Sequence, residues 1–246
     1  MKWIRSHVLN DVAGIASGFS TRQGGASTTP FASLNLGLST GDDREAVKAN
    51  RLKAAIDLGF DVDKMAIAGQ VHGSNVQVVR DGGLFRETDG LVSSTPGVLL
   101  CMSAADCASI LLADPMASVV GACHAGWRGC VGGVTEQTIG EMISLGARPE
   151  HLRAWISPCI GPECFEVGEE VAERFPPRWV VRKPEWPRPH VDLSATLMAQ
   201  LIDAGLRANH VESSGRCTMC ETDTFFSYRG EDGHTGRMMG FIGLKA

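Results

Sequence analysis

Three short apolar runs in close succession, VLLCM, SILLAD and SVVGACH, constrain this chain more than any other feature. They begin at Val98, Ser109 and Ser118, and turn-forming residues separate them: SAAD after the first, PMA after the second and AGWRGCVGG beyond the third. Apolar runs of this length bounded by such punctuation are buried strands. The first two read as two strands, or as a strand pair interrupted by the polar SAAD. A shorter alternating run, SNVQVVRDG, reads as a further strand ending in a turn.

Helical periods are interleaved with these strands. In residues 42–60, Val47, Leu52, Ala55 and Ile56 form an apolar stripe, Asp42 or Asp43 stands at the capping position, and Arg44, Lys48 and Arg51 make a basic second face. VTEQTIGEMISLG follows the glycine-rich turn after His124 and predicts a helix whose free N-terminal amides suit an anion. Helices are also predicted at 167–175 and at 192–205, the latter capped by Asp192. The proline-rich 176–192 reads as a loop with a short edge strand. Strands and helices intermix over the whole chain without an internal repeat, and 246 residues at 43% hydrophobic suffice to bury a large core, as one large domain or two small ones.

Composition narrows the function. A net charge of -5 without any Lys/Arg run argues against a nucleic-acid partner. No window reaches the length of a membrane span and the N-terminus has no signal-like apolar region, so the expected compartment is the cytoplasm, with no membrane partner. Eight cysteines in such a chain read as reduced thiols, most of them packing residues. The CTMC at 217–220 lacks a second close pair, so a structural or incidental role stands ahead of a zinc ribbon or redox motif.

Three metal-capable side chains stand at strand ends or in glycine-containing turns: His72 in QVHG, Cys107 in ADC and His124 in HAGWRG. They lie too far apart for a zinc finger and suit a site assembled from three loops. Two imidazoles and a thiolate are three good zinc ligands, and a fourth position left to water is the catalytic arrangement. The same residues also suit a hydrolase in which Cys107 attacks, His124 is its base and Asp106 orients the imidazole. Copper is a third option, although seven histidines with no His-x-His pair leave a multicopper oxidase short of ligands. Arg22, in a glycine-containing loop, and Arg51, on the basic helix face, are candidate anion ligands, as are amides near Gly129. Trp127 either stacks on a planar ligand or anchors packing. Arg128 either binds a substrate oxygen or pairs with a carboxylate. Asp106 is expected to hold a ligand imidazole; Asp89 does likewise or only shapes a turn.

STRQGG (20–25), NLGL (35–38), Asn50-Arg51, QVHG (70–73), DGLV (89–92), ADC (105–107), HAGWRG (124–129), PCIGP (158–162) and FFSYR…TGR (225–237) together resemble the bacterial laccase-domain family. Members of that family carry polyphenol oxidase and peptidoglycan editing factor labels and are described as zinc-dependent purine nucleoside phosphorylases with adenosine deaminase activity. The resemblance runs in order along nearly the whole chain. It implies a single α/β domain over 1–246 with layered mixed β-sheets flanked by helices, Zn²⁺ held by His72, Cys107 and His124, and catalysis by these residues with Asp106. It further implies that purine nucleosides (adenosine, inosine, S-methyl-5'-thioadenosine) and inorganic phosphate are the partners of a monomer or small homo-oligomer, which makes Arg22, Arg51 and the amides near Gly129 the expected phosphate ligands and Trp127 and Arg128 expected substrate contacts. A cysteine hydrolase or amidase acting on peptidoglycan precursors and a copper-dependent phenol oxidase are the rival readings. Ala108-Ser109 in place of the usual Leu-Pro, Glu163 where a second Cys is frequent, and Gly230 where a second Arg is common depart from the pattern and bear on substrate preference.

Overall fold

A computed structural model describes every residue except Met1 and Asp11. Two six-stranded sheets stack face to face. The first runs Trp3–Ile4, Ile15–Ser20, Met238–Leu244, Leu99–Ala104, Met65–Gly69, Gly83–Arg86. The second runs Val211–Ser213, Arg153–Ile156, Ala108–Asp114, Val119–Ala125, Gly90–Ser93, Val76–Val78. Both mix parallel and antiparallel pairs. The fold is the layered α/β arrangement that the sequence led us to expect.

Alternation along the strands produces three apolar layers. In Leu99–Ala104, Leu99 and Cys101 face outward to the helix Arg44–Leu58, while Leu100 and Met102 face the second sheet. In Ala108–Asp114, Leu111 and Ala113 face the first sheet, and Ile110 and Leu112 face helices Val134–Ser144 and Leu193–Asp203. Both faces of each strand are buried, which explains why these runs read as continuous apolar blocks. Gly240 lets the two sheets approach at Ser109: a Cβ there would lie 2.7 Å from the Ser109 side chain.

The first two apolar runs are not a hairpin. They belong to different sheets, and Ala105-Asp106-Cys107 is the crossing between them. The second and third runs do pair, antiparallel, with Ala108 opposite Ala125 and Ser109 opposite His124. That register brings Cys107 beside Gly126 at the mouth of the sandwich.

The helix Arg44–Leu58 is capped by the Asp43 carboxylate, which accepts from the Glu45 amide at 3.1 Å, and closed by Gly59 in the left-handed region at φ 82°. Its buried face differs from the expected stripe. Val47, Asn50, Ala54, Ala55 and Leu58 are buried, whereas Leu52 and Ile56 are 45% and 63% exposed. The buried Asn50 explains the rotation: its side chain holds the Ala26 amide, Ser27 Oγ and the Ser33 and Asn35 carbonyls, tying the glycine-rich N-terminal loop to the helix. Arg51 therefore sits at the edge of the covered face and not on a solvated one.

Asp192 caps Leu193–Asp203 by accepting from the Ala195 amide at 2.9 Å. The helix expected over 167–175 is one turn, Glu169–Ala172. The glycine-rich stretch after His124 contains a short helix, Trp127–Val131, before Val134–Ser144 begins. The proline-rich segment forms a two-stranded ribbon, Val180–Val181 with His190–Val191. No helix among the described residues is long and apolar enough to cross a membrane.

Candidate active site

His72, Cys107 and His124 converge where the two sheets open. Their ligand-capable atoms all lie within 4.8 Å of one another, and the two imidazoles meet edge to face with centroids 4.9 Å apart. His124 is on the inter-sheet face of its strand, two residues beyond Ala122 of the inter-sheet layer. His72 is carried by the loop after Met65–Gly69, at φ 61°. Asp106, beside Cys107, is also left-handed at φ 85°. Non-glycine residues in that region are uncommon and need surrounding bonds to hold them.

Asp89 provides those bonds for His72. Its carboxylate, wholly buried, accepts the amides of Val71 (3.1 Å), His72 (3.1 Å) and Gly73 (2.8 Å), and the Nδ1–H of His124 at 2.9 Å. One buried anion thus shapes the His72 loop and directs Nε2 of His124 toward Cys107, the partner a ligating histidine requires. Burial alone would raise the Asp89 carboxyl; the His124 bond and the Gly73 and Val71 amides outweigh it and hold it below its usual value.

The expectation that Asp106 holds an imidazole is corrected. Its carboxylate accepts from Thr218 Oγ1 (2.7 Å), Ser227 Oγ (2.8 Å) and the Arg229 amide (2.7 Å), so it fixes the C-terminal loop that walls the site. The left-handed φ of Asp106 turns its side chain away from the thiol that follows it.

Burial would raise the Cys107 thiol, but the two imidazoles that face it pull it down to about 6. His124 is correspondingly pushed up to about 9, against its burial, by Cys107 and Asp89. The remaining buried thiols behave in the opposite sense: burial pushes Cys123 and Cys130 up to about 12. A thiolate flanked by two imidazoles, one with its second nitrogen already committed, is a donor set suited to a soft or borderline divalent ion, and it suggests a metal.

These residues line a cavity of about 850 Å³, within the range of small-molecule sites. Arg51, Trp127 and Arg128 also line it, Arg128 lying 4.2 Å over the Trp127 ring. Arg22 does not. Its guanidinium is held by the Ala32 and Thr222 carbonyls and Glu231, and it stacks on Phe226 at 4.4 Å. It braces the N-terminal loop against the C-terminal one and has no access to a ligand in the cavity. Its place is taken by Arg237, from the TGR stretch, with Tyr228 and Arg229 from FFSYR. Those motifs were visible in the sequence, but nothing local indicated which of their side chains face a cavity.

Arg51 and Arg237 share one rim, on either side of Leu36-Gly37. Arg51 Nε donates to the Leu36 carbonyl at 2.8 Å, and Arg237 donates to its own neighbours, the Thr235 and Gly236 carbonyls. A Cβ on Gly37 would lie 2.7 Å from Arg237 Cγ, so glycine there admits the arginine. Burial lowers both guanidinium groups below their usual value. Two partly buried cations bonded through backbone carbonyls retain donors for an anion.

The family model described as multi-copper polyphenol oxidoreductase laccase matches residues 16–245. A purine nucleoside phosphorylase of Deinococcus radiodurans is 46% identical over 92% of this chain and 88% of its own. An adenosine deaminase from an unknown prokaryotic organism is 34% identical over 89% of this chain and 90% of its own. The crystal structure of YlmD from Geobacillus stearothermophilus superposes with a TM-score of 0.92 at 36% identity, covering 100% of this chain and 97% of that one. With its cavity, its His-Cys-His cluster and its match over nearly the whole length, the chain belongs to this laccase-like family.

Proposed function

We propose that the protein is a zinc-dependent purine nucleoside phosphorylase that also deaminates adenosine, residues 1–246 acting as one catalytic unit. The observation that carries this reading is a single cavity with the His72-Cys107-His124 cluster at one side and, at another, Arg51 and Arg237, which are bonded to backbone carbonyls and to no carboxylate among the described residues. The names of the relatives support both activities, phosphorolysis and deamination.

When bound, zinc would be held by His72, Cys107 and His124 and would supply a Lewis acid able to polarise a substrate atom and acidify water. The chain's own residues do the rest. Asp89 keeps the His124 proton on Nδ1, leaving Nε2 as donor. Phosphorolysis requires an anion presented to C1′ of the ribose: a phosphate oxygen bonds to C1′ as the C1′–N9 bond breaks and the pair of electrons leaves with the purine. Arg51 and Arg237 orient that phosphate, and Arg128 and Arg229 add positive potential to the cavity. Trp127, Phe165 and Tyr228 offer rings to the base. In deamination, water adds at C6 and ammonia leaves, so the purine's C6 edge must face the His-Cys-His side. Asp106 contributes by positioning, through Arg229 and Ser227.

A multicopper oxidase is disfavoured because, among the described residues, no group of three or more His, Cys or carboxylate side chains other than this one contains an imidazole. A multicopper centre needs several imidazole clusters. A cysteine hydrolase needs one base beside the thiol, whereas two imidazoles here face one sulfur. Incubating the purified protein with inosine, with and without phosphate, tests the reading: hypoxanthine is expected only with phosphate and is lost on chelation. Chelator-resistant activity abolished by iodoacetamide would instead establish the hydrolase.

A further inference from the structure

A second cluster of soft ligands lies outside this cavity. Cys164 follows Gly161 in the loop after Arg153–Ile156, and Cys217 and Cys220 are the CTMC pair of the C-terminal loop. All three sulfurs lie within 4.8 Å of one another, with Cys164 and Cys220 at 3.3 Å. The sequence showed only the CTMC, two ligands short of a zinc site; the fold adds a third from far along the chain. The Gly161 amide donates to Cys217 Sγ at 3.2 Å, and the Met219 and Cys220 amides also point at that sulfur. Amides converging on one sulfur from a Cys-x-x-Cys turn favour its thiolate form, as metal-binding turns do. A cavity of about 340 Å³ adjoins Cys217 and Cys220 and admits solvent to a fourth position.

We infer that Cys164, Cys217 and Cys220 form a second metal site, distinct from the His72-Cys107-His124 cluster, that takes a thiophilic d¹⁰ ion, zinc in the first instance, and staples two loops together. Binding replaces the thiol protons, with solvent as the remaining ligand. The stapled loops are those that wall the nucleoside cavity: Ile160 and Phe165 come from one, Tyr228, Arg229 and Arg237 from the other. The inference rests on sulfur geometry alone and stands whether or not the cavity binds nucleosides.

The test is metal content of protein purified reduced from zinc-supplemented cells. Wild type should carry about two zinc ions per chain, and both His124→Ala and Cys220→Ser about one. Cobalt(II) added to metal-free His124→Ala protein should give thiolate-to-metal absorption that is absent from the His124→Ala/Cys220→Ser double variant. Cys220 is exposed, so Cys220→Ser should fold, and circular dichroism checks that it does. If His124→Ala protein binds neither ion, or if peptide mapping finds Cys164 and Cys220 joined as a disulfide in freshly purified protein, the inference is overturned.

Discussion

Replacing Asp89 by asparagine removes the least replaceable group of the site. Oδ1 accepts the His72 amide and His124 Nδ1, and Oδ2 accepts the Val71 and Gly73 amides. An amide has one oxygen, so Asp89→Asn keeps two of these four bonds and turns an NH₂ donor against the other two donors. Each charge-assisted bond contributes about 1.5–3 kcal/mol, so the loss is about 3–6 kcal/mol, borne mostly by the folded His72 loop. At about 2–4 °C per kcal/mol for a chain of this size, even the lower figure lowers Tm by about 6–12 °C. If the NH₂ faces His124, the ring proton moves to Nε2 and the ligand nitrogen is blocked, so zinc affinity falls by about 10–100-fold or more. The assays are thermal melting of metal-free protein and zinc competition against a chromogenic chelator. A variant melting within about 2 °C of wild type and binding zinc within about threefold would refute the assignment of Asp89 as the common support of both histidines.

Other residues give independent tests. Gly126→Ala builds a Cβ 2.9 Å from Cys107 Sγ and 3.3 Å from His72 Cδ2, and should weaken zinc binding at least about tenfold with little change in melting. Arg51→Met and Arg237→Met should each raise the KM for phosphate by about 10–100-fold, from one charge-assisted contact of about 1.5–3 kcal/mol. Arg22→Met should lower Tm and leave that KM unchanged; a phosphate effect from Arg22 alone would reverse the assignment. In metal-free protein, Cys107 becomes thiolate as pH rises through about 6, so iodoacetamide should label it fully at neutral pH and slowly below 6, as read by mass spectrometry. Labelling that begins only near the ordinary thiol value of about 8.5 would mean the imidazoles do not face the sulfur.

How far the sequence revealed this site depends on which contacts are local. The strands ending at Ala104, Asp114 and Ala125 were legible because both faces of each are buried, and His124 followed from its place at the end of one. Helix Arg44–Leu58 was legible as a helix, but not its orientation: a buried Asn50 serving four partners outranked Leu52 and Ile56, and polar burial leaves no apolar period to read. Between Asp89 and Asp106, proximity to Cys107 in the sequence pointed to the wrong carboxylate. The left-handed turn at 106 and the pairing of Gly90–Ser93 with Val119–Ala125 decide the matter, and both are properties of the folded chain. Arg237 takes the place in the cavity that the sequence suggested for Arg22, for a similar reason. Each lies beside glycines, and only the packing of Phe226 and Glu231 against one and of Gly37 against the other separates them.

The most direct test of the central claim is a single chromatogram of adenosine incubated with metal-stripped protein, with zinc or copper restored, with and without phosphate, beside His124→Ala. The account predicts that zinc restores adenine only when phosphate is present and inosine regardless of phosphate, and that His124→Ala forms neither. Folded, zinc-restored protein that leaves adenosine intact, or a His124→Ala variant that still turns it over, would contradict it.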